Sequence, residues 1–224
     1  SAIASRASYE FIDINLDVQK IYTDDSLDFD VNLEPFKKAI KTLGSLMKET
    51  ALVLVETTVP PGTCKKVVEP IIQDEFLKRN LASTPCIGHS YERVMPGPNY
   101  IDSIINFPRV FSGIDKKSEK LVETFLESII NTSEYPLTKL KNTQSSEIAK
   151  VLENSYRAMN IAFIAEWSRL AENSDSDLFE IVSAIKKRET HKNIMLPGIG
   201  VGGYCLTKDP LFAKISARDT LKLN

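Results

Sequence analysis

Five consecutive apolar residues, Ala51-Leu52-Val53-Leu54-Val55, lie between two stretches of helical periodicity, and this narrows the fold more than any other feature of the 224-residue chain. A strand without polar alternation is buried on both faces, which happens in parallel sheets covered by helices on each side. The flanks agree. Leu33, Phe36, Ile40, Leu43 and Met47 keep helical spacing across residues 33–48, and Tyr-Glu-Phe-Ile-Asp-Ile at residues 9–14 reads as an earlier strand. Pro60-Pro61-Gly62 stops the apolar strand and opens a helix running to about Arg79. Short strands at residues 85–87 and 110–111, with a helix over 116–130, carry the alternation to about residue 135.

Beyond Asn142 the pattern changes. Ile148, Val151, Leu152, Met159, Phe163, Trp167 and Leu170 keep helical spacing with no Gly or Pro between them, which predicts one long helix. A second helix at residues 177–187 precedes a glycine-rich segment, residues 196–210, and residues 215–224 read as helix or linker. The predicted class is α/β: part of a doubly wound parallel sheet in residues 1–140, then an all-helical domain with a long central helix in 141–224. A sheet that starts at residue 9 leaves no room for the usual first strand, phosphate-binding turn and first helix. Those elements are expected upstream, with an open strand edge where they would pair.

Composition removes several functions. Lys and Arg number 28 against 30 Asp and Glu, a net charge of −2, so the basic excess that holds a phosphate backbone is missing and no nucleic-acid partner is expected. With 42% hydrophobic and 26% charged residues the chain has the composition of a globular protein. No signal peptide and no eighteen-residue apolar run appear, so neither export nor a membrane span is expected. Cys64, Cys86 and Cys205 form no C-x-x-C pair, which fits a reducing cytoplasm. Cys86 and His89 have C-x-x-H spacing, but without two further ligands no metal is expected.

Gly198, Gly200 and Gly203 satisfy G-x-G-x-x-G, yet a dinucleotide loop must follow a strand and precede an acidic residue about twenty positions on. Here a Pro precedes the run and the chain ends first. The segment reads instead as a sugar or phosphate cradle beside Cys205, or as a flexible surface loop. Cys64 and Cys86 read as small buried hydrophobes. Cys205 sits between glycines and Lys208-Asp209, in a loop where backbone donors and a cation favour the thiolate, so it is the candidate nucleophile. Lys150 and Asn154 share a face of the long helix: ordinarily a solvated face, but in a pocket two donors for an oxyanion. Thr57 to Gly62 follow the buried strand at the sheet's ligand-binding carboxyl edge, or simply end it. Glu92 stands at another strand end, as a general base or a solvated carboxylate.

Four segments carry a resemblance that none carries alone. They are Glu56-Thr-Thr-Val-Pro-Pro-Gly-Thr63, Ser90-Tyr-Glu-Arg-Val-Met-Pro-Gly97, Glu147-Ile-Ala-Lys-Val-Leu-Glu-Asn154 and Gly198-Ile-Gly-Val-Gly-Gly-Tyr-Cys-Leu-Thr-Lys-Asp-Pro210. In order and spacing, from about Tyr9 to Phe212, the chain resembles the nucleotide-sugar 6-dehydrogenases, the UDP-glucose/GDP-mannose dehydrogenase family. The resemblance implies a Rossmann-like NAD domain and an NAD-dependent, four-electron oxidation of a sugar C6 alcohol to a carboxylate through a thiohemiacetal and a thioester.

By the same matching, Cys205 is the nucleophile, Lys150 and Asn154 stabilise oxyanions, and Asp209 assists proton transfer or orders water. Glu92 serves thioester hydrolysis and Thr58 sits between cofactor and sugar. Asn15, Thr57, Thr58, Val59 and Lys208 face NAD. Glu92, Arg93, Lys150, Asn154 and Arg188, with Leu196, Gly198, Gly200 and Gly202, hold the UDP-sugar. The long helix builds a homodimer. Pro96 replaces the second glutamate of the UDP-glucose branch, which resembles the branch oxidising UDP-N-acetylhexosamines; UDP-glucose is the alternative substrate. A UDP-binding domain is expected after residue 224, and the chain alone is expected to be inactive. A Cys-dependent acyltransferase and a non-catalytic dimerising scaffold are the rival functions.

Overall fold

A computed structural model describes residues 4–22, 27–94 and 97–223; Pro96, on which the substrate hint rests, lies outside the described residues. The chain divides into two compact units, residues 1–150 with 212–224, and residues 151–211.

The first unit is built on strands β1 (Tyr9–Ile12), β4 (Leu52–Val55), β5 (Cys86–His89), β6 (Val110–Gly113) and β7 (Thr138–Lys139), side by side in that order. Pairing is parallel from β1 through β4 to β5 and between β6 and β7, and antiparallel between β5 and β6. Every residue of β4 is buried, as its sequence predicts. Leu52 and Leu54 meet Phe111 of β6 and Val122 and Leu126 of α4 (Lys116–Glu127). Strand alternation turns Val53 and Val55 to the other face. Helices α1 (Glu34–Leu46) and α2 (Glu69–Lys78) pack on each other and bury Phe36, Ile40, Ile72 and Phe76. The approach of α4 to the sheet needs glycine. A Cβ at Gly88 would lie 2.1 Å from Val122 Cγ2, and one at Gly113 would lie 2.4 Å from the Glu119 backbone nitrogen.

Several elements differ from the sequence reading, among them the short strand β7, beyond the expected end of the sheet near residue 135. Between β1 and α1 stands an antiparallel ribbon, β2 (Val18–Tyr22) with β3 (Leu27–Val31), where no strand is predicted. Its alternation of Asp28 and Asp30 with apolar residues is a two-stranded pattern too short and too polar to stand out. Asp28 takes Lys214 at 2.9 Å and Arg218 at 2.6 Å, which fastens the chain's last helical turns to this unit. A short helix α3 (Tyr100–Ile105) was likewise not expected.

The long helix is observed as α5 (Thr143–Glu172), thirty residues that run from the first unit into the second. In the second unit α6 (Leu178–Ile185) is capped by Asp177, which accepts from the Phe179 amide at 2.8 Å. Leu178 and Val182 bury themselves against Ile164 and Ala171 of α5. The glycine-rich segment is irregular only to Gly203. Helix α7 (Tyr204–Ile215) then runs through Pro210 and back into the first unit. Cys205, expected in a loop, therefore stands in the first turn of a helix. Gly203, at φ +82°, reverses the backbone just before it, and Thr207 Oγ1 donates to the Gly203 carbonyl at 2.7 Å. Among the described residues no helix is long and apolar enough to cross a membrane.

Candidate functional site

In the first unit, residues singled out from sequence meet at the carboxyl ends of β1, β4 and β5. The segment after β4 is tied to the end of β1: Thr57 Oγ1 donates to the Ile14 carbonyl at 2.9 Å, and the Glu56 and Thr57 amides donate to Ile12 at 3.1 and 3.2 Å. Asn15 is exposed there, Thr58 is half-buried and Val59 is fully buried. Hydroxyl and amide groups at this edge suit the carboxamide end of a nicotinamide, so the donor set fits the implied cofactor.

After β5 the chain places Tyr91, Glu92 and Arg93. Lys150 of α5, only 8% exposed, donates to the Glu92 carbonyl at 3.1 Å and lies 5.3 Å from the centre of the Tyr91 ring. It is not on a solvated face. Arg93 stacks on the same ring at 5.5 Å and donates to the Pro108 carbonyl at 2.8 Å. The Glu92 carboxylate accepts from the Val94 amide.

In the second unit Asn154 donates to Asp209 Oδ2 at 2.6 Å, and Lys208 pairs with Asp209 Oδ1 at 2.8 Å. Asp209 is completely buried, with a partner on each oxygen. Lys208 also lies 4.9 Å from the Tyr204 ring. Cys205 is exposed one helical turn before Asp209. Arg188 is exposed at the start of a short 3₁₀ turn (Glu189–His191). A cleft of about 740 Å³ is lined by Asn154, Arg157, Lys186, Lys192 and Leu196 among others. It holds two of the residues expected to bind substrate and not Cys205. Built Cβ atoms at Gly198, Gly200 and Gly202 would meet open space, so these glycines leave the backbone accessible. The G-x-G-x-x-G run follows no strand, as its context predicts, although it does lead into a helix.

Residues 18–133 match the NAD-binding domain model of the UDP-glucose/GDP-mannose dehydrogenase family, and residues 144–222 match that family's central domain. The chain belongs to this family. Among its relatives, the UDP-N-acetyl-D-mannosamine dehydrogenase of Pyrococcus horikoshii is 32% identical over 196 residues, covering 87% of this chain and 44% of the relative. The enzyme of that name from Campylobacter jejuni is 32% identical over 190 residues, with 81% and 44% covered. The solved structure of the Pyrococcus horikoshii UDP-D-ManNAc dehydrogenase superposes with a TM-score of 0.75 at 28% identity, covering 96% of this chain and 47% of that one. The chain thus spans about half the length of the family members it matches.

The structure adds residues that sequence reading passed over. Glu147, one turn before Lys150, is buried and accepts from the Gly62 amide at 2.5 Å and the Cys64 amide at 2.8 Å; burial pushes its carboxyl up to about 7. The same burial, with the Glu147 charge, pushes the Cys64 thiol far up. Behind them Ser146 joins His89 Nδ1 at 2.7 Å and Ser112 at 2.6 Å, and donates to the Thr143 carbonyl at 2.9 Å. Since Ser146 has one proton to give, hydrogen-bond counting makes His89 Nδ1 and Ser112 the donors to it. Burial, helped by the Lys150 charge, holds the imidazole neutral, its pKa lowered to about 3. Glu56 pairs with the buried Arg109 at 2.6 Å; burial still raises its carboxyl above the usual range. The spacing of Glu147 three residues before Lys150, on one helix face, was the available signal for it.

Proposed function

We propose that this chain supplies the C-terminal part of the NAD domain and the central domain of a nucleotide-sugar 6-dehydrogenase acting on a UDP-N-acetylhexosamine. The supporting observation is Lys150. An ammonium this buried is costly unless its charge is used, and it meets the Glu92 carbonyl and the face of the Tyr91 ring. Such a group is suited to an oxyanion that forms only during reaction. The names of the relatives favour the N-acetylhexosamine over UDP-glucose.

In this reading Asn15, Thr57, Thr58 and Val59, with Lys208, hold the cofactor. NAD, when bound, supplies the acceptor for two successive electron pairs. The chain's own groups do the rest. The Cys205 thiolate adds to the C6 aldehyde left by the first oxidation, forming a thiohemiacetal that cannot escape. Lys150 and Asn154 stabilise the tetrahedral oxygen, and Asp209 orients the Asn154 amide and orders water. Glu92 assists water in hydrolysing the thioester left by the second oxidation, releasing the carboxylate and the thiol. Glu92, Arg93 and Arg188, with Leu196, Gly198, Gly200 and Gly202, contact the sugar nucleotide.

The outward face of α5 supports a homodimer. Leu152 (64% exposed), Met159 (69%), Phe163 (53%) and Trp167 (47%) form an apolar row at helical spacing, which a second copy would cover.

The test is Cys205→Ser in a protein that joins these residues to the family's full length. NADH formation with UDP-N-acetylmannosamine, UDP-N-acetylglucosamine and UDP-glucose should appear for the parent and yield no acid in the variant, with sugar-nucleotide binding retained. Wild-type turnover by the variant would remove the covalent mechanism. Acyl transfer from thioesters with no response to NAD would favour the acyltransferase.

A further inference from the structure

Beyond the ties of Glu56 and Thr57 to the end of β1, the Pro60–Gly62 part of the turn after β4 is fastened to the rest of the first unit at two further points. From α5, the Glu147 carboxylate accepts from the Gly62 and Cys64 amides, at 2.5 and 2.8 Å. From the segment after α7, Ser216 Oγ donates to the Pro61 carbonyl at 2.6 Å. Gly62 adopts φ +96°, a conformation that strains a residue with a side chain, so the turn has one shape that presents both amides to a single carboxylate. The helical turns that follow start at Cys64 with a wide, π-helical spacing and leave their first amides without partners within the helix. Glu147 accepts from the first of them, Cys64, and from Gly62 just before the helix. It is 1% exposed, and burial outweighs the Cys64 and Gly62 hydrogen bonds that favour its charged form.

We infer that Glu147 is a positioning residue of the proposed dehydrogenase, a clamp that fixes the Thr57–Gly62 strap against the helix bearing Lys150. The inference rests on the assignment of that strap to the nicotinamide edge. Three residues separate Glu147 from Lys150, so the two side chains leave the helix on neighbouring lines one turn apart. One carboxylate therefore sets the distance between the cofactor strap and the oxyanion donor. The titratable groups around it are the Cys64 thiol, which hydrogen-bonds it from the turn, His89 on β5, joined to the adjacent Ser146, and Lys150 on its own helix. The thiol and the imidazole are both held neutral around pH 7, so of these two and the carboxylate it is the carboxylate that changes charge there.

Glutamine keeps the shape but offers one accepting oxygen and turns an NH2 toward the second amide. In the full-length enzyme Glu147→Gln should raise the KM for NAD about tenfold while the KM for the sugar nucleotide stays within twofold, and Glu147→Asp should recover part of the loss. A parallel rise of both KM values, or no change in either, would overturn the inference, because a merely structural residue does not discriminate between substrates. A second measurement needs no turnover. In the 224-residue chain labelled with nitrogen-15, the amide protons of Gly62 and Cys64 should shift together with a midpoint near pH 7, and stop doing so in Glu147→Gln. Amides that ignore pH, or titrate equally in the variant, would also overturn it. A wild-type enzyme inert toward NAD and nucleotide sugars, with both amides titrating, would sink the functional reading and leave the clamp standing.

Discussion

Glu147 on α5 and His89 on β5 are both buried and titrate in opposite senses, which sets a measurable pH dependence of stability. The folded carboxyl of Glu147 stands at about 7 against 4.5 unfolded. Between those values the native state holds more protons than the unfolded state, so stability falls as pH rises from about 4.5 to about 7, by about 1.4 kcal/mol per pH unit. His89 is lowered from 6.5 to about 3. Its unfolded form binds the extra proton, so its contribution is present above pH 6.5 and is lost as pH falls toward 3. From pH 4.5 to 6.5 the two slopes cancel. Glu147→Gln should remove one of them. Plotted as variant minus wild type, the unfolding free energy from urea titrations followed by circular dichroism should be level below about pH 4.5, rise by about 3 kcal/mol to pH 7, and level off again. Subtraction removes every other titrating group, and the fixed cost of a poorer cap moves the curve without bending it. A difference flat from pH 4 to 8 would refute the reasoning, since it would mean that the carboxyl titrates alike in both states.

Other perturbations follow from single contacts. Lys150→Ala in the full-length enzyme should lower turnover by about 10²–10⁴ through lost oxyanion stabilisation; an unchanged rate would return Lys150 to a structural role. Gly113→Ala puts a methyl group against the backbone of α4 and should cost about 1–3 kcal/mol in urea unfolding, unless the helix moves off the sheet freely. Met159→Asp with Phe163→Asp should shift the protein from dimer to monomer in sedimentation equilibrium; a dimer surviving both charges would place the interface elsewhere.

Legibility followed the strength of the periodic signal. The all-apolar run of β4 and the breaker-free course of α5 were readable because burial on both faces and uninterrupted helical spacing leave few alternatives. The ribbon of β2 and β3 was not, because two five-residue strands, one with a Gln-Lys pair and the other alternating Asp with apolar residues, resemble a polar connection. Cys205 reads as a loop residue because glycines stand just before it. The helix starts at Tyr204 all the same, just past Gly203, and accommodates a proline whose missing N–H spares only the Leu206 carbonyl its partner. At the candidate site, the residue types of Lys150, Asn154 and Asp209 were visible. The pairing of Asn154 with Asp209, fifty-five positions apart, was not, since hydrogen bonds between distant segments leave no periodic trace. Glu147 lay inside a quoted motif, and only the fold brings it to the two amides that give it a task.

The hydroxyl bridge from His89 through Ser146 to Ser112 also bears on how the chain reaches its native state. It joins β5, α5 and β6 at one point, where His89 and Ser112 are direct partners across the antiparallel pair. A slip of one residue in that pair, or of one turn in the docking of α5, would strand three polar groups in an apolar interior, at about 1–3 kcal/mol each. Apolar contacts alone tolerate such errors, because one leucine replaces another at little cost. The trio therefore acts as a proofreading mark for assembly, discarding near-miss arrangements that hydrophobic collapse would otherwise accept.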